Sequence, residues 1–169
     1  MATSKKLPQS LELLSIHEKW SIHYDHVNQD CLWLTYLKPS QLLLQGNVRQ
    51  AAVCVELLQK WLRMKARNHL GRWLQALSED TDLKFKGLSI RGQRTRWGSC
   101  STQQRINLNY KLLFLPATLV EHVLLHELCH TREFNHSSRF WALLSEWDTD
   151  CQKNKQSLNE ADQYLPKWL

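Results

Sequence analysis

The stretch His122–Trp141, HVLLHELCHTREFNHSSRFW, holds four of the chain's eight histidines. His126 and His130 are four residues apart. Four residues of α-helix turn through about 400°, so both imidazoles emerge on one face, one turn apart. Two such rings can grip one small ion. Glu127 lies off that line, and in the HExxH pattern it approaches the open side of the ion through a water. That is the place for a general base: zinc acidifies the water and the carboxylate takes its proton. A tetrahedral catalytic site takes a third protein ligand and keeps one position open. His136 is the candidate, six residues after His130 and past the expected helix end. The chain must turn back over Glu133–Asn135 for His136 to face the other two, and Asn135 tolerates turn geometry.

The surroundings agree with a buried centre. Val123, Leu124, Leu125 and Leu128 cover most of the helix circumference, and a helix apolar nearly all round is buried. Histidines and a glutamate buried there without partners are costly, and metal coordination removes that cost. The competing reading is a satisfied core histidine pair without metal. His122 reads as an ordinary, partly exposed residue and Cys129 as packing; His17, His23, His26 and His69 have no ligand spacing. The 126–130–136 spacing is also that of metzincin proteases, HExxHxxGxxH. However, Glu133 stands where that pattern has glycine, and no methionine follows to form a Met-turn.

The elements that must position these residues can be read from periodicity. SIHYDHV and DCLWLTYL alternate in part and flank NQD, which reads as a hairpin turn. QLLLQG adds a third strand closed by Gly46. From Asn47, a plausible N-cap, the period becomes helical. Val53, Leu57, Trp61, Met64, Leu70, Trp73, Leu74 and Leu77 then mark one long helix, or two broken near Gly71, ending near Ser78. FKGLSIR and RINLNYKL read as strands, joined by the loop or bent hairpin GQRTRWGSCSTQQ. Pro116 suits a first helical turn, with the helix running to about 132. Further helices are expected from Ser137 or Ser138 and over roughly 150–163, and a loosely held helix over 1–19. Strands followed by helices without βαβ alternation give an α+β class, a small mostly antiparallel sheet packed against a long helix and the HExxH helix.

Composition narrows the function classes. A chain of 169 residues with 43% apolar residues can bury a core of its own. No run approaches a membrane span. The N-terminal residues show no apolar core before a small-residue cleavage site. Five cysteines, an odd number without a CxxC pair, suit a reducing compartment, so the expected location is cytoplasmic. The charge of +6 is unevenly spread. Lys84, Lys86, Arg91, Arg94, Arg96, Arg105 and Lys111 fall in a stretch without Asp or Glu, whereas acids outnumber bases from Glu121 onward. Such a block implies an anionic partner or substrate, with nucleic-acid contact through 84–111 as the minority alternative, or simply a solvated basic surface. The oligomeric state is not legible.

Within that block, Arg96 is a candidate catalytic residue, since its planar fork can steady an oxyanion or a phosphate. Trp97 is expected to plug the core and Gly98 to supply a turn. Asn109 can bond the metal helix or substrate, with a structural role favoured. Trp61, Trp73 and Trp141 fall on apolar helical faces, while Trp20, Trp33 and Trp168 are candidates for exposure.

RTRWGSCS, INLNYKL, HVLLHELCH and NHSSRFW, in that order, together resemble the YgjP-like family of metal-dependent hydrolases, relatives of the SprT-like and WLM zincins. The helix LQKWLRMKARNHL before the basic strand is similar too, and the likeness in layout covers about residues 20–165. The resemblance implies an N-terminal extension (1–19) followed by a single zincin-like metallohydrolase domain (20–169). It implies zinc held by His126, His130 and His136, with Glu127 as base and Phe140 and Trp141 packed under the site. Three functions follow. The first is a zinc metallopeptidase acting on peptide or protein. The second is a zinc-dependent hydrolase of nucleotides or phosphate esters. The third is a metal-stabilised nucleic-acid or protein binding module without catalysis, which would have no need of Glu127.

Overall fold

The computed structural model describes residues 6–169. The fold is α+β: seven strands and four α-helices among the described residues, with the strands ahead of the last three helices. Strands β1 (Ser10–Leu13), β2 (Glu18–His26), β3 (Leu32–Lys38) and β4 (Gln41–Gly46) form one sheet in the order β1-β2-β4-β3. Strands β5 (Gly87–Arg91), β6 (Gly98–Cys100) and β7 (Arg105–Asn109) form a second, in the order β5-β7-β6. The expected single sheet is thus two small mixed sheets. Antiparallel pairings join β1 to β2, β3 to β4 and β6 to β7, while β2–β4 and β5–β7 run parallel.

The N-terminal half corrects two expectations. The helix expected over 1–19 is absent from its described part, where Leu11 and Leu13 of β1 are buried and a 3₁₀ turn follows at Leu14–Ile16; residues 1–5 lie outside the described residues. The hairpin expected around NQD does not form, because β4 inserts between β2 and β3. Burial gives the reason. Leu42 and Leu44 are fully buried, so the most apolar strand takes the interior position, and β3, with no buried residue, takes the edge. The tight turn is instead Pro39–Ser40, between β3 and β4. Gly46 ends β4 at φ +120°, where a Cβ would stand 2.0 Å from the Cys31 carbonyl oxygen, so only glycine fits.

Helix α1 (Ala51–Thr81) is continuous through Gly71 and, at 31 residues, about 46 Å long. It begins after Gln50 instead of Asn47 and runs past Ser78. Of the expected face, Trp61, Leu70 and Leu74 are buried, and Leu57, Trp73 and Leu77 are half-buried against the core, whereas Val53 and Met64 are exposed. The buried stripe also takes in Cys54, Leu58, Leu62 and Ala66, so it is wider than the expected face and, in the first half of the helix, turned toward the following residue. Helix α1 touches β3 in the first sheet, β5 in the second, and α2. Trp20 is buried against Trp61, and Trp168 is also buried, so neither is the exposed tryptophan expected.

Helices α2 (Ala117–Cys129), α3 (Ser138–Trp147) and α4 (Cys151–Leu158) complete the chain. Pro116 is the residue before α2, not in its first turn. Helix α2 packs on α1, α3, α4 and β6, the placement a nearly all-apolar helix requires. No helix among the described residues is long and apolar enough to cross a membrane.

Candidate metal centre

Helix α2 ends where the site begins. The backbone N–H groups of Arg132 and Glu133 both donate to the Cys129 carbonyl, closing the last turn. The Ser137 N–H then donates to the Asn135 carbonyl, and α3 starts at Ser138. This reversal brings His136 back over the face of α2 that carries His126 and His130. The three Nε2 atoms lie 3.2 Å (126–130), 3.1 Å (130–136) and 3.0 Å (126–136) apart. Fully buried Phe140 stacks on His130 and meets the other two rings edge-on, and Trp141 stacks on His136. The α3 aromatics therefore fix the ring orientations from below.

These residues fit a metal ion on three physical grounds. First, hydrogen bonds alone cannot satisfy the triangle. Nδ1–H of His130 donates to the Glu133 carbonyl at 3.0 Å, so its Nε2 offers only a lone pair while two more nitrogens crowd it. Second, three nitrogens bound at about 2.0–2.1 Å to one tetrahedral cation stand roughly 3.3 Å apart, close to the spacing found. Third, two of the rings, His126 and His130, are kept as neutral donors. Burial, reinforced by the neighbouring charges of His130 and His136, pushes His126 down to about 3. Burial likewise lowers His130, against a raising effect of its bond to Glu133. Three imidazoles within ligating distance of one another can hold a metal ion.

Glu127 comes to the same place from the side. It is 5% exposed, and its Oε2 is buried without a hydrogen-bond partner among the described residues. Burial pushes its carboxyl up to about 8, against the lowering influence of Arg96. The carboxyl rests against Gly98 of β6, where an added Cβ would meet Oε1 at 2.7 Å and Cγ at 2.8 Å. Gly98 is thus not the expected turn residue; it is a strand residue whose missing side chain makes room for Glu127. Gly98→Ala is expected to leave the fold and the metal content intact while lowering turnover about 10²-fold, the scale of a misplaced catalytic group. Steady-state kinetics beside metal analysis checks this.

A cavity of about 640 Å³ opens over the rings, with Arg96, Trp97, His126, Glu127, His136 and Lys155 among its walls. Arg96 is exposed, on the loop entering β6, and is among the residues lining the cleft. Trp97 is half-buried: it packs against the hydrophobic core, as expected, and also lines the cleft wall. Two residues escaped the sequence reading. His122, expected to be partly exposed, is 2% exposed; its Nδ1 meets Asp148 Oδ2 at 2.5 Å, and Asp148 accepts further bonds from the Asn154 amide. The four-residue step to His126 put it on the ligand face, but its partner lies 26 residues away. Lys155 caps the Trp141 ring at 4.3 Å, and nothing in the sequence signalled it. Asn109, 2% exposed, reaches neither the metal helix nor the cleft floor; its amide donates to the carbonyls of Gln93 and Arg96.

A profile of the family described as YgjP-like, metallopeptidase domain, matches residues 13–161. No curated protein and no solved structure matches the chain.

Proposed function

The chain belongs to the YgjP-like metallopeptidase family, whose domain is that of a metal-dependent peptidase-type hydrolase, and from that premise we propose that the metal is zinc, that His126, His130 and His136 hold it, and that Glu127 is the base of peptide hydrolysis. A three-imidazole donor set with no carboxylate suits zinc among the available divalent ions. When bound there, zinc supplies Lewis acidity toward a substrate carbonyl and toward water.

The chain's own groups supply the rest. Glu127 Oε2, buried and unpartnered, is the atom that takes the proton of the attacking water and later delivers it to the leaving amine. A carboxyl raised by burial into the neutral range is matched to both transfers. Arg96, on the cleft wall beside Glu127, is placed to steady negative charge developing on the carbonyl oxygen. Strand β6 is the edge of its sheet, with Gly98 against the base, so an extended substrate can add to it by backbone hydrogen bonds. The five free thiols fit a reducing compartment such as the cytoplasm.

The observation that carries this reading is the pairing of three converging imidazoles with an unpartnered carboxylate held against Gly98. A structural site closes its fourth position and has no use for that carboxylate. One observation favours a second reading, hydrolysis of nucleotides or phosphate esters: Arg94, Arg96 and Lys111 of the basic stretch gather around one cavity. Nucleic-acid contact through 84–111 belongs with that reading. The test is metal analysis of the purified protein followed by a panel of labelled peptides and nucleoside triphosphates, with and without a chelator. Zinc-dependent peptide cleavage is expected; phosphate release as the sole chelator-sensitive activity would overturn the peptidase assignment.

A further inference from the structure

A second cavity, of about 300 Å³, lies on the far side of Arg96 and Trp97. It shares Arg96, Trp97, Leu158 and Asn159 with the cleft over the histidines, so the two lie side by side. Its walls carry three cations, Arg94, Arg96 and Lys111, against one carboxylate, Asp162, a net of +2.

These cations sit on a built framework. The buried Asn109 holds it at four points: its Nδ2 donates to the Gln93 carbonyl at 2.8 Å and the Arg96 carbonyl at 3.0 Å, its Oδ1 accepts from the Lys111 N–H at 3.1 Å, and its own N–H donates to the Trp97 carbonyl at 2.8 Å. One side chain therefore fixes the backbone that presents all three cations. A solvated basic surface has no need of such a clamp. We propose that this cavity is a substrate subsite for an acidic side chain, so that the enzyme selects peptides carrying Asp or Glu a short distance to one side of the scissile bond.

The proposal rests on the peptidase reading above, which supplies the scissile bond in the adjoining cleft. One feature favours a peptide over a phosphate chain. On the same wall, Gln93 Oε1 is a buried acceptor with no partner among the described residues. A peptide brings N–H groups that such an oxygen can accept, whereas a phosphodiester brings acceptors only. Arginine is also the side chain best shaped to take a carboxylate through two parallel bonds.

The test is equilibrium binding to the zinc-loaded full chain carrying Glu127→Gln, so that turnover does not consume the probe. Fluorescent peptides differing only by Glu or Gln are scanned over three positions on each side of a central bond. At one position the Glu peptide is expected to bind about 10-fold more tightly than its Gln twin in low salt, and the ratio should shrink as salt rises. Arg94→Gln together with Lys111→Gln should bring the ratio close to 1, chiefly by weakening the Glu peptide. Arg94→Gln alone, at an exposed position, should give part of that loss without any question of folding. Equal binding of the twins at every position would overturn the proposal, as would a preference that survives the double change. So would tighter binding of ATP or of a single-stranded oligonucleotide than of any acidic peptide. Wild-type cleavage of the same peptides separates the two readings. Preference without cleavage refutes the hydrolase and leaves an acidic-peptide site; cleavage without preference refutes the subsite alone.

Discussion

Glu127→Gln is expected to lower kcat by about 10²–10⁴-fold while the protein still carries one zinc per chain, because a general base contributes on that scale. The amide has the size and shape of the carboxylate, so it can occupy the space against Gly98 without moving β6. What it lacks is the ability to take a proton. The stability readout sharpens the test. Glu127 is a carboxyl whose Oε2 finds no partner in a buried setting. The amide is a polar group of the same size in the same unpartnered place, so Tm should hold. Lost turnover, retained zinc and unchanged Tm together would mark a chemical role. Turnover near the wild-type level in this variant would remove the base from the mechanism.

His136→Ala is expected to weaken zinc binding by at least about 100-fold, more than the loss of an outer partner of a ligand typically costs. Of the three imidazoles this is the exposed one, so its removal disturbs the core least. His130, stacked on Phe140, and His126, edge-on to the same ring, should keep their places as a two-ligand remnant. Titration against a chromophoric chelator measures the change directly. Thermal melts provide a second measure. A ligand at a thousand times its Kd stabilises by about 4 kcal/mol. For a chain of this size that is roughly 8–16 °C of Tm. Chelation should therefore lower the wild-type Tm by about that amount, with little effect on His136→Ala. Wild-type zinc affinity in the variant would exclude His136 as a ligand.

The parts of this molecule that were legible in the sequence are those whose cause is local. The histidine triad that could hold a metal ion spans residues 126–136, and one helical period plus one turn suffices to bring it together. The α3 start at Ser138 and the 3.6-residue period of α1 are local in the same sense. What the sequence hid depends on distant partners. Leu42 and Leu44 put β4 inside the sheet only because β2 and β3 compete for the same neighbour, a choice that alternation within each strand cannot make. In the first half of α1, Cys54 and Leu58 are buried where Val53 and Leu57 were equally periodic, a choice made by distant packing partners and not by the helix itself. His122 looked like a surface histidine until Asp148, beyond the end of α3, closed on it. Asn109 gave no sign that it ties together Gln93, Arg96, Trp97 and Lys111. Gly98 was read by its backbone freedom, whereas its role is to leave a space that only a folded neighbour can fill.

The contrast between the triad and Gly98 bears on how such a protein can change over evolutionary time. The three histidines that could hold an ion lie within eleven consecutive positions and would travel as a unit. The space for Glu127 depends on a hydrogen in place of a methyl group at a position nearly thirty residues upstream. On the expectation given above, one nucleotide substitution there would leave a metal-binding chain with strongly weakened turnover and its signature motif unaltered. Residue 98 would then report on activity where the HExxH sequence itself does not.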